Sequence, residues 1–307
     1  MRNFILLTLI TGLFACSSET PPEQPALEMT EIADGIYVHV GAHVPFDEPG
    51  ADDIANLGFI VGSDCVAVID TGGSVAIGND LKQTIAVTTD VPVCYVINTH
   101  IHFDHVLGNK PFAETGVEFI GHAKLADAMH GNRAFFIEEF AEQLGPDPEQ
   151  AIVAPTRGVE DELELDLGGR VLLLQAWPAA HTYTDLTVYD TATATLWAGD
   201  LLFMERIPSF DASLRGWLAV MADLRTIPAK QVVPGHGPAS SDWPAALDAQ
   251  ATYLTALLEE TRAAIQSGQF LDEAQESVAT EAALQWTLSE QHHKRNISRA
   301  YTELEWE

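Results

Sequence analysis

Residues 98–105 read Asn-Thr-His-Ile-His-Phe-Asp-His, so His100, His102, Asp104 and His105 stand within six positions, directly after an apolar run. No other stretch constrains the chain as much. On an extended backbone, residues two apart point the same way, so His100 and His102 can address one metal ion. Beyond the bend, Asp104 and His105 can address a second. Imidazole nitrogens and carboxylate oxygens suit zinc without any thiolate. A lone histidine would ordinarily be read as a satisfied core or surface residue. That reading fails for the cluster, because burying these groups together without a cation leaves charges and lone pairs unpaired.

Around this segment the chain alternates strands and helices. Strand-like runs cover 36–40, 56–61, 66–70 and 93–98, with a helix expected over 74–87 between the last two. A second round follows, a strand at 117–120 and one helix from 123 towards 144, closed by the turn-rich Gly145-Pro146-Asp147-Pro148. Further strands are expected at 171–175, 186–189, 195–197 and 231–233, with a helix at 214–224. From about residue 243 the Ala-, Leu- and Glu-rich composition predicts two or three consecutive helices. Mixed sheets with interposed helices make this an α/β chain.

The beginning of the chain reads differently. An apolar run over 4–15 follows Met1-Arg2-Asn3, too short to span a bilayer and matched to a signal-peptide core. It ends Leu13-Phe14-Ala15-Cys16, which resembles the lipobox of bacterial lipoproteins. Residues 1–15 are thus expected to be a signal peptide and 16–28 a lipidated polar linker, with the domain at 29–307. The expected product is exported, periplasmic and held to a membrane only through a lipid on Cys16. Cys65 and Cys94 lack the spacing of a zinc or redox site. Buried inert thiols are the expected reading, and a disulfide becomes available if 66–70 and 93–98 are neighbouring parallel strands.

His-x-His-x-Asp-His after a strand resembles the signature of the metallo-β-lactamase superfamily. That resemblance implies three more ligands, each in a loop after a strand, and the chain offers His181, Asp200 and His236. It further implies that His100, His102 and His181 bind one zinc ion, that Asp104, His105 and His236 bind a second, and that Asp200 bridges the two. The implied fold is an αβ/βα four-layer sandwich with the ions at one edge, followed here by C-terminal helices. The implied chemistry is attack by zinc-activated water, with Asp104 as ligand and orienter of the attacking oxygen and with Asp70 or Thr182 holding ligands in place.

Aspartate at 200 is similar to the glyoxalase II, lactonase and sulfur-metabolism branches. An ester, thioester or lactone is therefore the expected small-molecule substrate, and a class B-like β-lactamase is the alternative. A finer resemblance, to the SoxH-related quinoprotein relay system zinc metallohydrolases, rests on segments 206–209, 213–217 and 236–238, Trp243, the helical stretch 245–262, and 295–296 with 299–307. It implies a quinoprotein dehydrogenase partner. A non-catalytic metal-binding accessory lipoprotein is the non-enzyme alternative. The formal charge of −30, from 45 acidic and 15 basic residues, opposes nucleic acid as a partner. His39, His43, His130, His292 and His293 fit no ligand spacing and are expected to pack or face solvent. His122, between a strand and a helix, is expected to cap or support.

Overall fold

The computed structural model describes residues 26–307. The signal peptide, Cys16 and most of the linker expected from the sequence lie outside the described residues.

The first half builds a seven-stranded sheet whose strands follow chain order. These are β1 (Thr30–Ala33), β2 (Ile36–His39), β3 (Leu57–Val61), β4 (Val66–Ile69), β5 (Val93–Ile97), β6 (Glu118–His122) and β7 (Arg157–Val159). β1 to β4 pair antiparallel, and β4 to β7 pair parallel. β4, Val-Ala-Val-Ile, is apolar without alternation because both of its faces are covered. On one side lies α1 (Val75–Thr88), started by the Ser74 hydroxyl, which accepts from the Ile77 amide at 3.1 Å. Its Leu81 and Ile85 pack on Val66, Val68 and Val96. Short helices α2 (Phe103–Val106), α3 (Leu125–Gly131), α4 (Arg133–Glu139), α5 (Ala141–Leu144) and α6 (Pro148–Ala151) gather over a small cluster of their own.

The second sheet comprises β8 (Glu162–Asp166), β9 (Val171–Ala176), β10 (Leu186–Asp190), β11 (Thr195–Phe203) and β12 (Gln231–His236), ordered β12-β11-β10-β9-β8. β11 and β12 are parallel and the other pairs antiparallel. Its outer face carries α7 (Leu214–Leu224), α8 (Asp248–Gln266), α9 (Leu271–Ser277), α10 (Thr280–Ala283) and α11 (Ser289–Leu304). Trp217 of α7 is fully buried there, and its indole N–H donates to the Leu201 carbonyl at 3.1 Å. Between the sheets, Ile36, Ile60 and Ile97 meet Leu172, Val188 and Trp197. The result is the expected four-layer sandwich, helix on sheet on sheet on helix, with C-terminal helices.

Several details depart from the sequence reading. The single helix expected over 123–144 breaks into three at Asn132 and Phe140, where the Phe140 ring leaves helical register to stack on Phe103 at 4.4 Å. β11 runs six residues past the expected end at 197, because Gly199 takes φ +51 and absorbs a register shift against β12. The C-terminal region holds four α-helices among the described residues, not two or three. Cys65 and Cys94 are half-buried and joined in a disulfide, not free buried thiols. The parallel pairing of Val66 with Val93 brings the Cα atoms of Cys65 and Cys94 to 5.5 Å.

Candidate metal centre

β5 ends at Ile97 and delivers Thr99, His100 and His102 to the rim of the first sheet, while α2 turns Asp104 and His105 inward. From the second sheet come His181 on the β9–β10 connection, Asp200 within β11 and His236 at the end of β12. Asp200 and His236 thus sit in the strands themselves, where the sequence reading expected loops after strands. All seven side chains are buried except His102, which is partly exposed.

Each imidazole is anchored through its outer nitrogen. His100 Nδ1 lies 3.0 Å from the Thr99 hydroxyl, which itself donates to Asp70 Oδ2 at 2.7 Å and so can accept from the ring. His105 Nδ1 donates to the same Asp70 oxygen at 2.8 Å. His102 Nε2 donates to Asp211 Oδ2 at 2.9 Å, and His236 Nδ1 to the Ile54 carbonyl at 2.7 Å. His181 Nδ1 donates to the Ser209 carbonyl. With the outer nitrogens carrying the protons, five inner nitrogens turn bare lone pairs toward the interior of the site.

Those lone pairs are close. His102 Nδ1 and His181 Nε2 lie 3.0 Å apart. Asp200 Oδ2 is 3.3 Å from Nε2 of both His181 and His236 and 3.6 Å from that of His100, while Oδ1 is 3.1 Å from His105 Nε2. Asp104 Oδ2 lies 3.4 Å from His236 Nε2 and 3.7 Å from His105 Nε2. His100 Nε2, His105 Nε2 and Asp200 Oδ1 are buried without hydrogen-bond partners. Acceptors converging this tightly repel one another unless a cation lies among them, so the donor set fits metal. The donors form two groups, His100, His102, His181 and Asp200, and Asp104, His105 and His236. The arrangement is consistent with a dinuclear site.

The electrostatics follow the crowding. Burial pushes the His100 imidazole well below its ordinary pKa. Burial alone would raise Asp200, but His236, His105, His100 and His181 around it hold its carboxyl well below the usual range. At His105 the carboxylates of Asp200, Asp70 and Asp104 overcome burial and raise the ring's proton affinity.

Some roles differ from those read in the sequence. Thr182 does not touch the His181 ring; its hydroxyl and amide bind Asp185 and shape the loop. His43 and His292 come up beside the centre, where their Nε2 atoms are buried without partners. His122 Nδ1 accepts from the Lys124 amide at 3.0 Å, just ahead of α3. Asp211, which the sequence reading missed, is held by Arg295 and Arg299, one turn apart on α11. Arg206, also missed as a site residue, lies with Nη1 3.2 Å from His236 Nδ1.

Comparison with known proteins gives the same picture. The family model described as the metallo-beta-lactamase superfamily matches residues 50–236. A search of curated proteins finds no match. Among solved structures, TMB-1 superposes with a TM-score of 0.58 at 19% identity, over 76% of this chain and 98% of that one. A metallo-beta-lactamase from Pontibacter korlensis gives 0.59 at 20% identity, over 75% of this chain and 99% of that one. A double mutant of the sec-alkyl sulfatase PisA1 gives 0.67 at 15% identity, over 90% of this chain but 50% of that one. At these identities the structures speak for the fold alone. The family match spans every donor from His100 to His236, and on it the chain belongs to the metallo-β-lactamase superfamily, as a metallohydrolase of that fold.

Proposed function

We propose that the protein is an exported dinuclear zinc hydrolase in which activated water attacks the carbonyl of a small ester, thioester or lactone. The observation that carries this reading is the position of Asp200, whose two oxygens lie within 3.1–3.3 Å of inner nitrogens from both donor groups. On this reading one carboxylate would serve both ions. His100, His102 and His181 would hold the first, Asp104, His105 and His236 the second. Five imidazoles and two carboxylates without a thiolate suit zinc.

When bound, the ions supply Lewis acidity at the substrate carbonyl and lower the proton affinity of water. The chain's own residues do the rest. Asp104, whose Oδ2 faces His236 and His105, would help hold the second ion and orient the water beside it. Asp70 and Asp211 keep His105 and His102 turned so that their inner nitrogens face the ions.

The apolar run ending at Cys16 supports export and a periplasmic, lipid-anchored domain, and the Cys65–Cys94 disulfide suits an oxidising compartment. Similarity of segments 206–209, 213–217 and 295–307 to quinoprotein relay system zinc metallohydrolases supports a quinoprotein dehydrogenase system as the setting. The acidic balance favours a small molecule over nucleic acid.

The test is metal analysis of the purified protein together with hydrolysis of an ester, a thioester, a lactone and a β-lactam. Two zinc ions per chain with turnover of one of the first three is expected, and Asp200→Ala should remove both ions and turnover. Turnover of the lactam alone would make the protein a β-lactamase. Full zinc with no turnover would make it an accessory metal-binding lipoprotein.

A further inference from the structure

Between β11 and α7 the chain runs through residues 207–213, and α11 holds this segment along its length. Ile207 N–H donates to the carbonyl of Thr287, just ahead of α11, at 3.0 Å. The Asn296 amide nitrogen donates to the Pro208 carbonyl at 2.6 Å. Arg295 donates to the Phe210 carbonyl at 3.3 Å, and together with Arg299 it holds Asp211. Where α7 begins, Glu303 accepts from the Ser213 hydroxyl at 2.9 Å and from the Leu214 amide at 2.7 Å. Residues 295, 296, 299 and 303 are three or four positions apart, so one face of α11 makes these bonds.

Asn296 is the fully buried member of that face. Its amide nitrogen also donates to the Tyr253 oxygen at 2.9 Å. The Tyr253 hydroxyl donates in turn to His293 Nδ1 at 3.0 Å, and His293 Nε2 donates to the Val278 carbonyl at 2.9 Å. This run of donors leaves the Asn296 amide one orientation, with its NH2 group toward Pro208. The arrangement is costly, because Asn296 Oδ1 is buried without a partner. An apolar residue would fill the position without that cost, so the bond to Pro208 is what asparagine supplies here.

The held segment carries the supports of one half of the metal centre. The Ser209 carbonyl accepts from His181 Nδ1, and Asp211 accepts from His102 Nε2. The amides of Asp211 and Ala212 donate back to the His181 carbonyl at 2.8 and 3.3 Å, so the segment fixes both the ring and the backbone of that residue. The other half rests elsewhere, His105 on Asp70 directly after β4 and His236 on the carbonyl of Ile54 between β2 and β3. Among the described residues no hydrogen bond joins α11 to either support. His292 meets the Phe46 ring on that side, but its Nε2 bonds to nothing.

We infer that α11 is a positioning element for one ion alone: acting through Asn296 and residues 207–211, it sets the metal affinity of the His100, His102 and His181 half and leaves the Asp104, His105 and His236 half independent. The inference rests on the dinuclear reading of the centre and adds a separate control on one of its halves. The superfamily match ends at residue 236, so that control belongs to the C-terminal helices beyond it. Linkage makes the coupling reciprocal: if docking of α11 favours the first ion, that ion favours docking of α11 by the same factor.

The experiment is stepwise cobalt(II) titration of the full chain after chelation, with the ring N–H resonances of His181 and His236, shifted by the bound ion, assigning each step to its half. Asn296→Ala, and Asn296→Leu, which keeps the volume, should each lower affinity about 10-fold in the His181 half, as loss of a ligand's support typically does, and leave the His236 half at its wild-type value. Ile297→Ala empties the adjacent contact of the same helix with the sheet but keeps every bond to residues 207–211, so both halves should stay at wild type. Equal losses in the two halves of the Asn296 variants, or the same loss in Ile297→Ala, would overturn the inference. Hydrogen exchange on the wild type tests it without any variant. Filling the His181 half should slow exchange at Ile207, Asp211 and along α11, and filling the His236 half should not; exchange in α11 indifferent to the first ion would overturn the inference. A wild type that binds no cobalt refutes the metal centre and the inference with it, whereas two ions bound with unchanged affinities in the Asn296 variants refute the inference alone.

Discussion

Gly235 of β12 faces Asp200 of β11 so closely that a β-carbon on the glycine would lie 1.8 Å from the Asp200 Oδ1. The absence of a side chain at 235 is what lets the carboxylate stand between the two donor groups. Gly235→Ala should therefore displace Asp200 and lower metal affinity about 10- to 100-fold, as loss of a supporting contact typically does. Metal content after dialysis against a weak chelator checks this; two ions retained at wild-type affinity would contradict it.

Asp211 connects the C-terminal helix to the centre, since Arg295 and Arg299 hold one of its oxygens and His102 donates to the other. The double variant Arg295→Ala, Arg299→Ala frees Asp211 and lets the His102 ring rotate. Affinity should fall about 10-fold for the ion near His102 and remain close to wild type for the ion near His236. Stepwise zinc titration resolves the two.

Both ring nitrogens of His39 meet acceptors, the Glu28 carbonyl at 2.9 Å and Asp53 Oδ1 at 2.8 Å, and only an imidazolium donates to both. Burial alone would lower its proton affinity, but the Asp53 carboxylate and the carbonyl outweigh burial and hold the pKa above the ordinary value. A raised folded pKa means that this contribution to stability is complete below about pH 6.5, the unperturbed histidine value, and is lost as pH rises through the folded value. Thermal unfolding of the wild type should lose stability over that window relative to Asp53→Asn. Parallel profiles for the two proteins would remove the pair from the account.

Ile297 of α11 is fully buried against the outer face of the second sheet. Ile297→Ala should cost about 2–5 kcal/mol in urea unfolding, the range for emptying a packed core position. A cost below about 1 kcal/mol would mean that α11 rests on the sandwich without belonging to its core.

The four donors between His100 and His105 were legible because histidine and aspartate declare their chemistry by type and strand geometry relates His100 to His102, whereas His181, Asp200 and His236 were reached only through the family resemblance. Their supports were not. His181 and His236 are anchored by the carbonyls of Ser209 and Ile54, groups that every residue carries and no side-chain pattern marks. Asp211 acquires its role only through α11, more than 80 positions away. The same holds for the fold. The apolar strands β3, β4 and β5 announce themselves, whereas β8, Glu-Leu-Glu-Leu-Asp, is an acidic edge strand recognisable mainly by its pairing with β9. The end of β11 was hidden because Ala-Gly-Asp reads as a turn until Gly199 is seen to carry the strand through it.

The donors divide between the two leaves of the sandwich. His100, His102, Asp104 and His105 hang from the first sheet, and His181, Asp200 and His236 from the second. Ions held there act as a clasp across the seam as well as a reagent, so the grip of one leaf on the other becomes a function of free metal concentration. Each tenfold excess of metal over its dissociation constant would add about 1.4 kcal/mol to the resistance of the folded chain to opening, and a chelator would loosen the seam before any strand within either leaf gave way.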